Sequence, residues 1–106
     1  MPKFNKFAKK FKFRISPITK ELADTIGIEF DPTMVTLEKY DYGTEQWKTE
    51  GLIDNLEYAE KSILIMIEAF KRHAQEDNTA ARVEYEVTQE SRKEVYELNV
   101  KQKRGK

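Results

Sequence analysis

A long segment with a helical repeat is the feature that most constrains the fold of this chain. Its apolar residues recur at intervals of three and four, and charged residues fill the positions between them. The apolar positions are Leu52, Leu56, Ala59, Ile63, Met66 and Phe70. The spacing predicts one amphipathic helix over about residues 52–75. Such a helix needs a second layer against which its apolar stripe is buried.

Two segments near the start predict a strand and a short helix. From Lys9 to Ile15, apolar and basic residues alternate, which is the pattern of a half-buried strand. Ser16 and Pro17 then offer an N-cap and a first-turn proline, and Gly27 offers a left-handed stop. We therefore predict a short helix over about residues 17–26.

Two hairpins complete the predicted sheet. Residues 33–49 are rich in β-branched and aromatic side chains around a turn-prone segment. Alternation over residues 83–87 and 96–100 indicates a closing hairpin, although residues 88–98 are also compatible with a short helix. The fold expected is α+β, with an antiparallel sheet of about four to five strands packed against the long helix.

The length of 106 residues predicts a single small domain, residues 1–106, with flexible basic tails at 1–8 and 101–106. The chain has no cysteine, which excludes disulfides and thiolate chemistry. Its longest apolar run, Ile63 to Ile67, is too short to cross a membrane. We expect neither export nor a membrane span, and a cytoplasmic location.

The charges are strongly segregated along the chain. The first twenty residues hold seven Lys and Arg and no acidic residue, whereas residues 21–90 hold seventeen Asp and Glu against six Lys and Arg. Residues 91–106 are basic again, with six Lys and Arg against two Glu. Two basic ends therefore flank an acidic middle, and this polarity limits the classes of partner.

The basic, aromatic start suits nucleic acid, preferably single-stranded, because cations attract phosphates and exposed rings stack on unpaired bases. If the two ends meet on one side of the sheet, their charges form one patch. The candidate nucleic-acid-binding residues are Lys3, Lys6, Phe7, Lys9, Lys10, Lys12, Arg14, Lys101, Lys103 and Arg104. The function expected is that of a small accessory protein without enzymatic activity.

A purely structural interpretation accounts for the same residues. Phe11 and Phe13 fall on the apolar face of the first strand and are expected in the core. If the strand that carries Glu84 and Glu86 lies beside the first strand, its carboxylates would pair with the basic side chains. The basic face would then be neutralised within the molecule.

The segment from Glu21 to Ile28 resembles the first helix and turn of helix-turn-helix DNA-binding proteins, with Ala23 at the helix crossing and Gly27 at the turn. The resemblance implies a second, DNA-reading helix. The sequence departs from that pattern directly afterwards, because acidic residues and Pro32 follow. The plainer interpretation is a capped helix that ends at a glycine.

The acidic middle and the long helix favour a second class of function. Residues 62–67 of this helix are apolar almost all round, which an outer helix of a small monomer does not need. Leu64 and Ile65 are the candidate contacts with a protein partner or a second copy, unless neighbouring elements cover them. The alternative function is thus a protein-binding module, an inhibitor or adaptor of the kind that small mobile genetic elements encode.

Enzymatic chemistry has little support in the sequence. His73 is the single histidine and lies beside Lys71 and Arg72 near a helix end. Without cysteine or a second histidine, the usual pairs of nucleophile and base are excluded. We expect no catalytic residue, no metal site and no cofactor.

Overall fold

The computed structural model describes residues 7–99, which form five strands and two α-helices. The elements are β1 (Lys9–Pro17), α1 (Lys20–Ile26), β2 (Val35–Asp41), β3 (Gln46–Ile53), α2 (Leu56–Asp77), β4 (Ala81–Val87) and β5 (Arg92–Leu98). The α+β class and the number of strands agree with the prediction from the sequence. Residues 1–6 of the predicted tail at 1–8, the predicted tail at 101–106, and the strand end at Val100 lie outside the described residues.

The five strands form one sheet in the order β3-β2-β1-β4-β5. The predicted antiparallel sheet is wrong in one respect, because β1 and β4 run parallel and the sheet is mixed. The physical reason is the connection between β3 and β4. A helix of 22 residues returns the chain along the sheet, so β4 starts at the same end as β1. The basic first strand consequently lies at the centre of the sheet.

The boundaries of α2 differ from the predicted range by a few residues. Leu52 and Ile53 belong to β3, where they pair with Thr36 and Val35. Asn55 then caps the helix, since its side chain accepts a hydrogen bond from the Tyr58 N–H at 2.9 Å. Four α2 side chains join those of the sheet in the main core cluster, namely Ala59, Ile63, Ile67 and Ala74.

The short helix α1 begins later than predicted. Pro17 is still paired in β1, and Thr19 caps the helix by accepting the Leu22 N–H at 3.0 Å. The helix ends at Gly27, whose φ of 80° is the left-handed conformation that the sequence indicated. The chain then enters β2 at Val35 without a second helix, so the helix-turn-helix resemblance is not matched by the fold.

The C-terminal hairpin is formed by β4 and β5. The alternative short helix is limited to one 3-10 turn over Thr88–Glu90. Arg92 then fixes the start of β5 to α2, because its two terminal nitrogens each donate to one oxygen of Glu60 at 2.9 Å. This pairing with Arg92 is the main cause of the lowered Glu60 pKa.

The core lies between α2 and one face of the sheet. Phe13 and Ile15 from β1 are buried there, and the Phe11 ring stacks on Phe70 of α2 at 4.0 Å between centroids. The opposite, basic side of β1 therefore points away from α2, as the alternation of the sequence predicted.

Candidate functional site

The side of the sheet that points away from α2 gathers most of the side chains suited to binding. Because side chains alternate along a strand, every second residue of each strand reaches this surface, which we call the open face. It carries Lys10, Lys12 and Arg14 of β1, Glu38 and Tyr40 of β2, Trp47 and Thr49 of β3, Arg82, Glu84 and Glu86 of β4, and Lys93, Val95 and Glu97 of β5. Its charges are not evenly distributed.

The aromatic half of the open face, defined as its residues on β1, β2 and β3, combines cations with rings. Tyr40 and Trp47 are paired across β2 and β3, with their centroids 5.2 Å apart. The Lys12 Nζ lies 5.3 Å from the Tyr40 centroid and 5.9 Å from that of Trp47. The Arg14 guanidinium lies 4.1 Å from the Trp47 centroid. Rings of this kind attract cations without neutralising them.

Arg14 also has a carboxylate partner in this half. Its Nε donates to Glu38 Oε1 at 2.8 Å, and both side chains keep between a fifth and a third of their surface exposed. Lys10 and Lys12, by contrast, take part in no ion pair with any residue from 7 to 99. The start of β1 thus presents two cations that remain uncompensated by carboxylates of the described chain.

The acidic half of the open face, defined as its residues on β4 and β5, is organised around Glu84. This side chain is only 9% exposed and lies between Arg82 at 3.0 Å and Lys93 at 3.3 Å. The strand β4 does lie beside β1, with Lys12 in register with Glu84 and Arg14 with Glu86. The expected pairs of the β1 cations with Glu84 or Glu86 are absent among residues 7–99, because Glu84 pairs with residues of β4 and β5 and Arg14 pairs with Glu38 of β2.

A cleft opens beside the aromatic half, where β1 and β2 separate. The two strands are paired from Phe13 and Lys39 onward, whereas Lys9–Lys12 pair only with β4 and Tyr40 and Asp41 only with β3. The resulting cleft has a volume of about 450 Å³. Three lysines, two tyrosines and two carboxylates are prominent in its lining: Lys10, Lys39, Lys48, Tyr40, Tyr42, Asp41 and Glu50.

One carboxylate in this cleft is held ionised by its neighbours. Lys48 pairs with Asp41 at 2.9 Å, and the backbone N–H groups of Gly43 and Thr44 donate to the same side chain. These contacts, with that of Lys48 the largest, lower the pKa of Asp41 to about 2. The cleft therefore keeps Asp41 negative at neutral pH, and its lysines exceed its carboxylates by one.

The other predicted binding residues are less well placed. Lys9 pairs with Asp77 at 3.4 Å on the α2 side of the sheet. Phe7 is only 8% exposed, so its ring is not presented to a base. The Ala8 N–H donates to the Ala80 carbonyl. Residues 7 and 8 are therefore packed or hydrogen-bonded and do not belong to the predicted flexible tail at 1–8. The remaining candidates, Lys3, Lys6, Lys101, Lys103 and Arg104, lie outside the described residues.

Sequence reasoning missed Tyr40, Trp47, Lys39 and Lys48 as members of the site. They lie in the predicted central hairpin, where the aromatic residues were assigned only to sheet formation. These rings contact the cations of β1 only because β2 is the strand next to β1. No local sequence pattern predicts which strands are neighbours in the sheet. Trp47, the chain's one tryptophan, was the available signal, because tryptophan combines a large apolar ring with an N–H donor and is enriched at interfaces.

The predicted partner contacts on α2 are exposed. Leu64 is 42% and Ile65 is 71% exposed. Leu64 lines a shallow groove with Leu56, Glu57, Glu60 and Lys61. The two side chains point in directions about 100° apart around the helix axis, so they belong to different faces of α2.

Among residues 7–99, no helix has the length and apolar character needed to cross a membrane. The same part of the chain holds no cluster of three or more His, Asp or Glu side chains suited to a metal ion. Comparisons of the chain with models of known families, with curated proteins and with solved structures find no match.

Proposed function

We propose that this protein is a small accessory protein, without enzymatic activity, that binds nucleic acid through the aromatic half of its open face. The observation that carries the proposal is the position of Trp47 and Tyr40 beside Lys12 and Arg14 on one side of the sheet. A surface that offers rings for bases and cations for phosphates suits a single strand best.

Single-stranded nucleic acid is favoured because its bases are free to turn toward the protein. In a duplex, the bases are stacked on one another and only their edges are reachable, so the faces of Tyr40 and Trp47 would have no partner. In the free protein, Lys12 and Arg14 lie over these rings. A bound base would stack on a ring, while the cations contact the phosphates on either side of it.

The cleft between β1 and β2 adjoins this surface through Lys10, Tyr40 and Tyr42. Lys39 and Lys48 line it from the side of the sheet that faces α2. Its volume of about 450 Å³ falls within the range of small-ligand sites and accommodates one nucleotide. Lys10 supplies positive charge for a phosphate at the open-face side of the cleft, and Tyr42 adds a further exposed ring at 48%. Lys48 is already paired with Asp41. A strand that crosses the open face would therefore place one nucleotide at the mouth of the cleft, beside Lys10 and Tyr42.

The basic ends of the chain would strengthen this binding without determining its position. Positive charge at these ends attracts phosphates over about one Debye length, roughly 8–10 Å at physiological salt. The residues that carry it are Lys3, Lys6, Lys101, Lys103 and Arg104. Their contribution is expected to be independent of sequence and to fall steeply with salt.

The proposal is tested by fluorescence anisotropy with a labelled single strand of about 15 nucleotides and its duplex. With Lys10, Lys12 and Arg14 in contact with phosphates, the logarithm of the affinity should fall with that of the salt concentration with a slope of about −2 or steeper. The single strand should bind more tightly than the duplex. Failure to bind at about 50 mM salt would reject the proposal.

Two matched lysine variants separate this site from general charge. Lys12→Gln should lower the salt slope by about 0.7, because one phosphate contact is lost. Lys93→Gln removes the same charge from the acidic half, where the lysine already pairs with Glu84. Its affinity should stay within about twofold of the original protein. Equal losses in both variants would assign the binding to net charge alone.

A further inference from the structure

The outward face of α2 carries an apolar residue that the described part of the molecule leaves uncovered. Ile65 lies two positions from both Ile63 and Ile67, which are buried against the sheet, so its side chain points away from the core. It is 71% exposed, and Tyr58, two turns earlier on the same face, is 52% exposed. Ile65 and Tyr58 therefore lie on one stripe along the outward side of α2.

The charged residues on this face are arranged so that the face complements itself. In an antiparallel pair of helices related by a two-fold axis at Ile65, residue 65 meets residue 65, and residue 58 meets residue 72. Tyr58 would then face Arg72 of the second copy, so that an aromatic ring meets a cation. Lys61 would lie beside Glu68 of the second copy, which is an opposite-charge pair.

Two further observations agree with this arrangement. Ser62 and Ala69, which lie next to Ile65 on the same face, are small and permit a close approach of the two helices. Glu68 and Arg72 take part in no ion pair within the described chain, so their charges remain available. Lys61 makes one long contact of 3.9 Å with Glu57, in which both side chains are largely exposed.

We propose that a second copy of this chain covers the outward face of α2 in an antiparallel pair with Ile65 at the two-fold axis. The stripe from Tyr58 to Arg72 is about 21 Å long. A contact of one helix with another over this length is smaller than a standard interface of about 800 Å² per partner. The dimer is therefore weak, with a dissociation constant in the range of about 10–100 μM.

The pairing would leave both open faces accessible. The open face lies on the side of the sheet away from α2, so the dimer carries two such surfaces, pointing in opposite directions. The pairing forms whether or not these surfaces are occupied. If they bind a nucleic-acid strand, two sites on one particle would raise the apparent affinity for long strands over that for short ones.

Sedimentation equilibrium over about 1–500 μM protein tests the pairing. The unsubstituted protein should show an equilibrium between monomer and dimer. Ile65→Glu should raise the dissociation constant at least about thirtyfold, since two carboxylates would meet at the axis. The matched control is Val95→Glu, which places the same charge at an exposed aliphatic residue on the open face and should leave the equilibrium unchanged.

A charge exchange tests the register itself. Glu68→Lys should weaken the dimer about fivefold, because it places a second ammonium group beside Lys61 of the other copy. Lys61→Glu combined with Glu68→Lys restores opposite charges and should return the dissociation constant to within about threefold of the original. A monomer at every concentration, a dimer insensitive to Ile65→Glu, or a double variant no stronger than Glu68→Lys would overturn the proposal.

Discussion

In the aromatic half of the open face, Lys12 and Arg14 lie against rings, whereas in the acidic half Arg82 and Lys93 both lie against the carboxylate of Glu84. A ring attracts a cation but leaves its charge in place, while a buried carboxylate cancels the charge of its partners. Similar cations on neighbouring strands therefore have different consequences. Lys12 lies beside rings alone and has no carboxylate partner among residues 7–99, whereas Arg14 lies between Trp47 and Glu38. Arg82 and Lys93 are both paired with Glu84.

The largest expected effect comes from reversing the charge of the aromatic half. Lys10→Glu combined with Lys12→Glu should weaken the binding of a single strand about a hundredfold at low salt, because two attractive contacts become repulsive. Anisotropy titrations measure this loss. The control is Lys20→Glu combined with Lys71→Glu, which makes the same change in net charge on α1 and α2. Its affinity should change no more than about threefold, and a comparable loss there would remove the distinction between the halves.

Removing the ring is expected to have the next largest effect. Trp47→Ala should lower the affinity about tenfold, which corresponds to the loss of one stacked base, while the salt slope stays unchanged. Trp47→Phe should retain most of the affinity. Val95→Ala, which truncates an exposed side chain of the acidic half, is the control and should bind as the original chain does. A changed salt slope in Trp47→Ala would mean that the ring acts only by positioning Arg14.

The role of the acidic half is tested by stability. Glu84→Gln should lower the free energy of unfolding by about 1–3 kcal/mol, because Arg82 and Lys93 lose a carboxylate that is only 9% exposed. Glu38→Gln breaks the more exposed pair with Arg14 and should cost less than about 1 kcal/mol. Urea denaturation measures both. If Glu38→Gln were the more destabilising variant, the assignment of a structural role to the acidic half would be wrong.

The smallest expected effect concerns the pKa of Asp41 in the cleft between β1 and β2. Carboxyl resonances followed by NMR should give Asp41 a pKa of about 2, below the ordinary value of 3.8. Because the pKa is lowered in the folded state, the stabilisation from Asp41 is complete above about pH 4 and is lost as the pH falls toward 2. Lys48→Ala removes the largest cause, so the pKa of Asp41 should rise. An unchanged pKa in that variant would show that Lys48 does not engage Asp41.

Much of the fold could be predicted because local patterns encode it. The three-and-four spacing from Leu56 to Phe70 identifies α2, and the alternation from Lys9 to Ile15 identifies β1 and its two faces. Errors of a few residues arose at boundaries where two signals compete. Leu52 continues the helical spacing, yet its pairing with Thr36 places it in β3.

The candidate site was only half predictable. Lys10, Lys12 and Arg14 are close together in sequence, and their shared face follows from the strand period alone. Tyr40 and Trp47 join them only because β2 lies beside β1 and β3 beside β2. The parallel pairing of β1 with β4 likewise depends on where α2 returns the chain. Such neighbour relations are set by the packing of the whole molecule and are not contained in any local segment.

Stacking of a base on the aromatic half can be followed by intrinsic fluorescence, because Trp47 is the only tryptophan in the chain. Titration with an unlabelled single strand should quench the Trp47 emission to a plateau at the concentrations where anisotropy reports binding. Added salt should reverse the quenching. Binding detected by anisotropy with no change in Trp47 emission would show that no base stacks on Trp47.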